Sequence, residues 1–410
     1  MQNPVIVIPG IQGSALEDFY PMPSEALWSA VVTKEYERLA LHPDNTRYEA
    51  QEPARVLPAG PLAIAYKDLV EALRHELSEK RDRPTPVFPF AYDWRHDVQR
   101  TADLLDGFID EVLARTWLLP HYRKEADRRV DLVGHSMGGL VMADYVSRYG
   151  GKKVRRCVSL ATPFQGSVEA IKKVTTGSGS FTGDPPRDRE REMARSIPAV
   201  YQLLPKYKGA VTTSEAASVD LLDINTWQPS ILRSIKESIR LQNAVIDAET
   251  LFKSYLASSG NLTKSINALK QGKLPVEWMA VVGTGSKTQM STNIVLWSKS
   301  GPKQPWFEFP AAMDEAASER TGDGTVPFPG ACPPFLPKEQ LVCVSPDDFS
   351  FWELKDRSLA KLAGFHSMIP AMNLAQRLTI KFLKPAFSGD VWAHPAPGVE
   401  TPDWPIKMTL

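Results

Sequence analysis

The sequence predicts an α/β fold, a mostly parallel, doubly wound sheet that carries an inserted, mainly helical cap and a lid segment. Three observations lead there. Residues 129–163 alternate strand, helix and strand: RVDLVGHS, then MGGLVMADYVSRYG stopped by Gly150-Gly151, then VRRCVSLATP. That alternation belongs to parallel strands joined by helical crossovers. The run from Val5 to Ile8 is short, apolar and β-branched, and Pro9-Gly10 ends it, as a buried strand entering a sharp turn would end. From 197 to about 273 the pattern is helical, and strand character returns only at 276–282 (VEWMAVV).

The remaining elements follow in order. Residues 16–65 are punctuated by proline and only weakly periodic, and a lid is expected over about 20–60. Residues 66–80 place Leu69, Val70, Leu73 and Leu77 on one face, an amphipathic helix that Pro84 and Pro86 bring to an end. PVFPFAYDWR reads as a second buried strand with a polar end. Residues 100–119 carry Leu104, Leu105, Phe108, Ile109, Val112 and Leu113 at helical spacing. Composition changes after Phe164, and 176–191 is rich in Gly, Pro and charge. LVCV at 341–344 reads as the last strand, 370–384 as a C-terminal helix, and the Pro-rich tail from 386 is expected on the surface. The expected organisation is a core of 1–163 and 274–385, a cap of 164–273 and a tail of 386–410.

Composition narrows the function classes. With 43% hydrophobic and 23% charged residues over 410 positions, the chain resembles a globular protein with a sizeable core. Its 48 basic and 48 acidic side chains cancel, and no basic stripe is present, which argues against a nucleic-acid partner. A neutral chain has no long-range attraction to anionic membranes, so any membrane contact is expected to be local, apolar and transient. No run reaches the roughly 18 apolar residues of a membrane span. MQNPVIVIPG lacks a basic leader region, and a cytoplasmic location is expected. Three cysteines make no disulfide framework. Cys157 reads as a core residue, and Cys332 with Cys343 is the pair that could bridge, against the expected reducing compartment. The seven histidines show no spacing suited to zinc, and no cofactor is expected.

The chemistry centres on Gly134-His135-Ser136-Met137-Gly138, a G-x-S-x-G pentapeptide. Alone it is weak, because chance supplies it about once in ten chains of this length. Its setting is specific: a buried strand precedes it and an amphipathic helix follows, the strand–turn–helix context of an α/β-hydrolase nucleophile. A serine alkoxide needs a base and the base an orienting carboxylate, in the chain order Ser, Asp or Glu, His. Only His366 and His394 follow Ser136. His366 lies between the last strand and the C-terminal helix, where a loop brings an imidazole over the sheet edge; His394 lies in the tail. Asp323, between Gly322 and Gly324, is the best-placed acid; Asp314, Asp347, Asp348 and Asp356 are alternatives, and a G-D-G turn also suits a solvated loop or a calcium site. For the oxyanion, the N–H of Met137 and that of Ile11, in Pro9-Gly10-Ile11-Gln12-Gly13, are the candidate donors. His135 is expected to point away from Ser136 and to bond beneath the turn. Trp94 and Arg95 read as structural or substrate-binding, and Trp28, in the lid region, as an apolar contact for an acyl chain.

With these residues in view, the chain resembles the lecithin:cholesterol acyltransferase and lysosomal phospholipase A2 family, in a bacterial-type form. The resemblance rests on Ile8-Pro9-Gly10 with Gly13, Tyr92-Asp93-Trp94-Arg95, the serine motif with Gly139, and Ser159-Leu160-Ala161-Thr162-Pro163 with Gly166-Ser167. It continues through Tyr201-Gln202-Leu203-Leu204-Pro205, Gly283-Thr284-Gly285, Gly322-Asp323-Gly324-Thr325-Val326 and His366, spanning roughly residues 3–385. The resemblance implies a catalytic set of Ser136, Asp323 and His366, oxyanion donors at Ile11 and Met137, and acyl esters, often phospholipids, as substrates. Two features depart from the family: no cysteine precedes Cys157 where its early disulfide lies beside the lid, and the secretory leader is missing.

The expected function is therefore a serine esterase or lipase acting through an acyl-enzyme on a small-molecule or lipid ester. An acyltransferase that passes the acyl group to an alcohol and a lipase-type toxin or antiviral effector are the alternatives. Head group, chain length and oligomeric state are not encoded in any motif.

Overall fold

The computed structural model describes residues 1–29, 36–51, 53–177, 188–213, 219–298, 302–309, 321–350, 353 and 364–409. β1 (Val5–Ile8) is buried at all four positions, as a strand covered on both faces must be. Ile6 and Ile8 enter the core on one face of the sheet, Val5 and Val7 the core on the other.

The chain then leaves the main sheet. β2 (Ser14–Asp18) and β3 (Glu25–Trp28) are antiparallel, β4 (Leu41–His42) and β5 (Asn45–Glu49) form a hairpin, and β6 (Val56–Pro61) returns to pair with β2. The segment expected as an irregular lid thus holds two small antiparallel sheets; residues 30–35 and 52 of it lie outside the described residues. Bulges in both pairings of β2, and prolines within β6, break the period-2 pattern that would have shown these strands.

α1 (Ala63–Leu77) buries Tyr66, Leu69, Val70, Leu73 and Leu77 along one stripe. β7 (Val87–Pro89) returns to the main sheet beside β1. α2 (Val98–Thr116) starts at Asp97, whose side chain accepts from the Arg100 N–H. β8 (Val130–His135), α3 (Met137–Tyr149) and β9 (Val154–Leu160) follow as strand, helix and strand. Then come α4 (Val168–Thr175), α5 (Asp188–Arg195), α6 (Pro198–Gln202), β10 (Val211–Thr213), α7 (Pro229–Leu241) and α8 (Ala248–Ala268). The sheet resumes with β11 (Glu277–Gly283). β12 (Thr292–Trp297) and β13 (Gln304–Glu308) form a hairpin on β10. α9 (Phe328–Ala331), β14 (Val342–Val344), α10 (Phe365–Met368) and α11 (Asn373–Leu383) complete the described elements used below.

Among the described residues the main sheet has six strands in the order β14-β11-β9-β8-β1-β7, and every neighbouring pair is parallel. α1 and α11 cover one face, packing on Val5, Val7, Val133 and Met279. α2, α3 and α8 cover the other, packing on Ile6, Ile8, Leu132 and Trp278. This is the α/β-hydrolase core that the alternation of strand and helix predicts.

The tail lies largely at the surface, and it is pinned to the sheet. Cys343 on β14 and His394 exchange backbone hydrogen bonds at 3.0 and 2.9 Å. Trp404 donates its indole N–H to the Leu341 carbonyl at 2.9 Å, and Val391, Ala393 and Ala396 are buried. The tail lies along the outer strand and covers its edge. All three cysteines are free thiols, so Cys332 and Cys343 do not bridge. Among the described residues no helix is long and apolar enough to cross a membrane.

Candidate active site

β8 ends at His135 and α3 begins at Met137, so Ser136 alone makes the turn between them. Its φ of 51° and ψ of −124° lie where a residue with a side chain is strained. Its surroundings hold it there. Ser136 donates its N–H to the Leu160 carbonyl on β9 at 2.8 Å. The flanking glycines allow the turn to close: a Cβ on Gly134 would lie 2.7 Å from the carbonyl carbon of Gly138, and one on Gly138 2.3 Å from the Ile8 oxygen.

The turn sets the hydroxyl against an imidazole. Ser136 Oγ is 2.9 Å from His366 Nε2, and His366 Nδ1 is 2.7 Å from Asp323 Oδ2. An ionised carboxylate only accepts, so Nδ1 carries the proton, and Nε2 of the neutral ring is left to accept from the serine. Asp323 is fixed in turn. Its Oδ1 accepts from the Thr325 N–H at 3.0 Å and the Val326 N–H at 2.7 Å, a local turn that Gly324 at φ +93° permits. Ser136, His366 and Asp323 are 5%, 3% and 1% exposed. The Asp323 turn is therefore no solvated loop, and both carboxylate oxygens are hydrogen-bonded within the protein. His366 sits on α10, directly before α11, with its backbone N–H on the Asp323 carbonyl at 3.1 Å.

The other candidates lie elsewhere. His394 bonds to Asp348 at 2.9 Å on the tail side of the sheet, and Asp348 also caps a short turn at Ser345. Asp347 is on that same turn. Asp314 and Asp356 fall outside the described residues.

The loop after β1 passes over the serine. A Cβ on Gly10 would lie 2.8 Å from Ser136 Cβ and 3.3 Å from its Oγ, so only glycine fits. Ile11 is the next residue, and Gln12 takes φ 61°. Met137 is the first residue of α3, where an N–H has no intrahelical acceptor. Both N–H groups nominated for an oxyanion thus lie on segments that adjoin the hydroxyl. Four aromatic side chains fix this loop. Tyr92 donates to the Pro9 carbonyl at 2.8 Å, and Tyr66 accepts from the Gly10 N–H at 2.9 Å. Trp28 donates to the Gln12 carbonyl at 2.9 Å, and Trp94 to the Ser14 carbonyl at 3.1 Å.

The tryptophans nominated for substrate lie beneath this loop. Trp94 is fully buried with its indole N–H on the Ser14 carbonyl, the structural alternative of its two readings. Trp28 is buried edge-on against Trp94, ring centroids 5.4 Å apart, and holds the loop likewise. Arg95 is fully buried too. It bonds both oxygens of Asp93, at 2.9 and 2.6 Å, and reaches Glu49 on β5 at 2.7 Å. Burial pushes the Asp93 carboxyl upward, but the Arg95 guanidinium overrides it and holds the group well below the usual carboxylate range. Tyr66 carries no motif, and sequence reading missed it; Tyr92 stands in the Tyr92-Asp93-Trp94-Arg95 motif, which gave it no role. His135 bonds beneath the turn, to Tyr66 and to the His366 carbonyl. Among the described residues no group of three His, Cys, Asp or Glu side chains is arranged to hold a metal.

Comparison with known proteins agrees with this architecture. The sequence profile of the lecithin:cholesterol acyltransferase family matches residues 59–271, just over half of the chain. The matched span includes Ser136 and ends before Asp323 and His366. A phospholipase A(1) of Arabidopsis thaliana, LCAT3, is 23% identical over 279 residues, 60% of this chain and 58% of that protein. The chain therefore spans less than two thirds of that relative's length. Among solved structures, one from the Tle4–Tli4 complex superposes with a TM-score of 0.62 at 16% identity, covering 92% of this chain and 97% of that one. At that identity the likeness is one of fold.

Proposed function

The chain belongs to the lecithin:cholesterol acyltransferase family, and from that premise we propose that it is a serine esterase acting on acyl esters, lipid and phospholipid esters foremost. The observation that carries the reading is the hydrogen-bonded run from Ser136 Oγ through His366 to Asp323, at 2.9 and 2.7 Å, on a strained serine turn. His366 Nε2 takes the Ser136 proton as Oγ attacks the ester carbonyl. Asp323 keeps the imidazole in the required tautomer and stabilises its charged form. The N–H groups of Ile11 and Met137 receive the negative charge that develops on the carbonyl oxygen. His366 then returns the proton to the departing alcohol, leaving an acyl-Ser136. Water, activated by the same imidazole, releases the acid.

A second reading has the acyl group passed to an alcohol instead of water, and the family's own name favours it. The two share every step up to the acyl-enzyme, so product analysis separates them: a labelled ester turned over with and without an acceptor alcohol yields a labelled acid or a new labelled ester.

The decisive test is an ester panel from short p-nitrophenyl esters to phospholipid vesicles, run beside Ser136→Ala. Turnover is expected to fall about three orders of magnitude or more in the variant. A variant that keeps the wild-type rate removes Ser136 from the mechanism. Activity confined to short soluble esters refutes the lipid-ester reading and leaves a general esterase.

A further inference from the structure

We propose that Tyr66 is a positioning residue which, through His135, braces the loop at Gly10 against the backbone of His366, holding the oxyanion donors and the base in register around Ser136. The inference rests on the roles proposed above for Ile11, Ser136 and His366.

Three hydrogen bonds make the brace. The Gly10 N–H lies 2.9 Å from the Tyr66 hydroxyl, that hydroxyl 2.8 Å from His135 Nδ1, and His135 Nε2 3.0 Å from the His366 carbonyl. Their directions follow from chemistry. A carbonyl only accepts, so His135 Nε2 carries the proton, and Nδ1 of a neutral ring must accept. Tyr66 then donates to Nδ1 and has a lone pair left for the Gly10 N–H. Burial holds the His135 imidazole well below its usual pKa, which keeps the ring neutral and the chain of donors intact.

The brace joins four parts of the fold that are far apart in sequence. Gly10 and Tyr66 are 56 residues apart, Tyr66 and His135 69, and His135 and His366 231. Tyr66 lies on the buried stripe of α1, and its hydroxyl sits where a Cβ on Gly13 would come within 2.8 Å, so that glycine leaves it room. The His135 and His366 rings are 5.1 Å apart. All four residues are buried. Gly10 and His366 both adjoin Ser136, and a single tyrosine oxygen and a single imidazole link the N–H of one to the carbonyl of the other. A displacement of about 1 Å at such a site is enough to cost about 100-fold in rate.

The test uses the intact chain. Tyr66→Phe keeps the ring and removes the oxygen. Serines competent for reaction are counted by fluorophosphonate labelling, so that misfolded protein is discounted. Per labelled site, kcat on a short p-nitrophenyl ester is expected to fall about 10- to 100-fold with KM within about twofold. Inhibition by a boronic acid, which forms a tetrahedral adduct, is expected to weaken by the same factor as kcat/KM. His135→Leu, which breaks the other end, is expected to lose a similar amount, and the double variant no more than the worse single one. Wild-type kcat per labelled site in Tyr66→Phe, or losses that multiply in the double variant, would overturn the brace. A wild-type protein inert to esters and phosphonate alike would overturn the esterase reading itself, and this role with it.

Discussion

The partners of buried His135 are a phenol and a carbonyl, neither of them an anion. Burial, aided by His366 nearby, therefore drives its pKa well below the ordinary value of 6.5. The folded protein leaves this ring unprotonated while the unfolded chain protonates it below that value. Its contribution to stability is complete above pH 6.5 and is lost as pH falls, at about 1.4 kcal/mol per pH unit. Asp131 runs the other way. Burial raises its carboxyl to about 6 despite Arg155, so what it contributes is present below the ordinary aspartate value of 3.8 and is lost as pH rises toward 6. The total pH curve mixes the two, and a difference measurement isolates His135. In urea unfolding at pH 7.5, 6.5 and 5.5, the stability of wild type relative to His135→Leu is expected to fall below pH 6.5 with that slope. A gap independent of pH would mean that His135 takes up a proton in the folded state. The residue scale is also where the sequence was most legible. Ser136, Asp323 and His366 announce themselves by a five-residue pattern, a G-D-G turn and their order, because that chemistry admits few residue types. Tyr66 does not, since a core tyrosine whose hydroxyl meets a backbone atom 56 residues away leaves no local trace, and Tyr92 shows only as part of a motif that does not tell its bond to Pro9, 83 residues away.

At the scale of elements, strands inside the main sheet were legible because burial on both faces makes them largely apolar, β1 throughout, and β8 and β9 charged only at Asp131, Arg155 and Arg156 near their starts. β2 to β6 were not. They are two to six residues long, kinked by bulges, and held by contacts from other parts of the chain. Arg95 is one such contact, tying β5 through Glu49 to the chain just beyond β7 through Asp93, with a further bond to the Leu39 carbonyl at 3.3 Å. The guanidinium has enough donors, in a fixed fork, to reach all three. Arg95→Met leaves Glu49 buried without its counter-charge and Asp93 with only the His96 imidazole, 3.3 Å away, and unfolding free energy is expected to drop by about 3–5 kcal/mol. Arg95→Lys keeps the charge but not the fork, and is expected to recover only part of that loss. Calorimetry or urea unfolding of the three proteins checks both. A methionine variant within about 1 kcal/mol of wild type would show that Glu49 and Asp93 find other partners and that Arg95 is no tie, since loss of a buried counter-charge costs more than that.

The whole molecule must protect the two edges of an open parallel sheet, because unpaired strand edges recruit other chains. At one end β7 is three residues long, preceded by Pro86 and ending at Pro89, too short and too poor in donors to template a neighbour. At the other end β14 is equally short, but no proline lies in it or next to it to remove its donors. The tail covers it, through the paired bonds between Cys343 and His394, the Trp404 bond to Leu341 and the Asp403 N–H on the Glu339 carbonyl at 2.8 Å. Its proline content suggested a surface tail because proline reports only what a segment cannot donate, and not which strand it lies against. Removing residues 386–410 is expected to bare the β14 edge, lower the unfolding midpoint and cause self-association, seen as larger species in size-exclusion chromatography with light scattering. The tail's bonds run to Glu339, Leu341, Cys343 and Asp348 and, at its start, to Lys381 and Lys384 at the end of α11, none of them to Ser136 or His366. The fraction that stays monomeric is therefore expected to label at Ser136 with fluorophosphonate at the wild-type rate. A truncated chain that is monodisperse with an unchanged midpoint would refute edge protection. A monomer that no longer labels would show instead that the order of the far edge reaches the serine turn through β11 and β9.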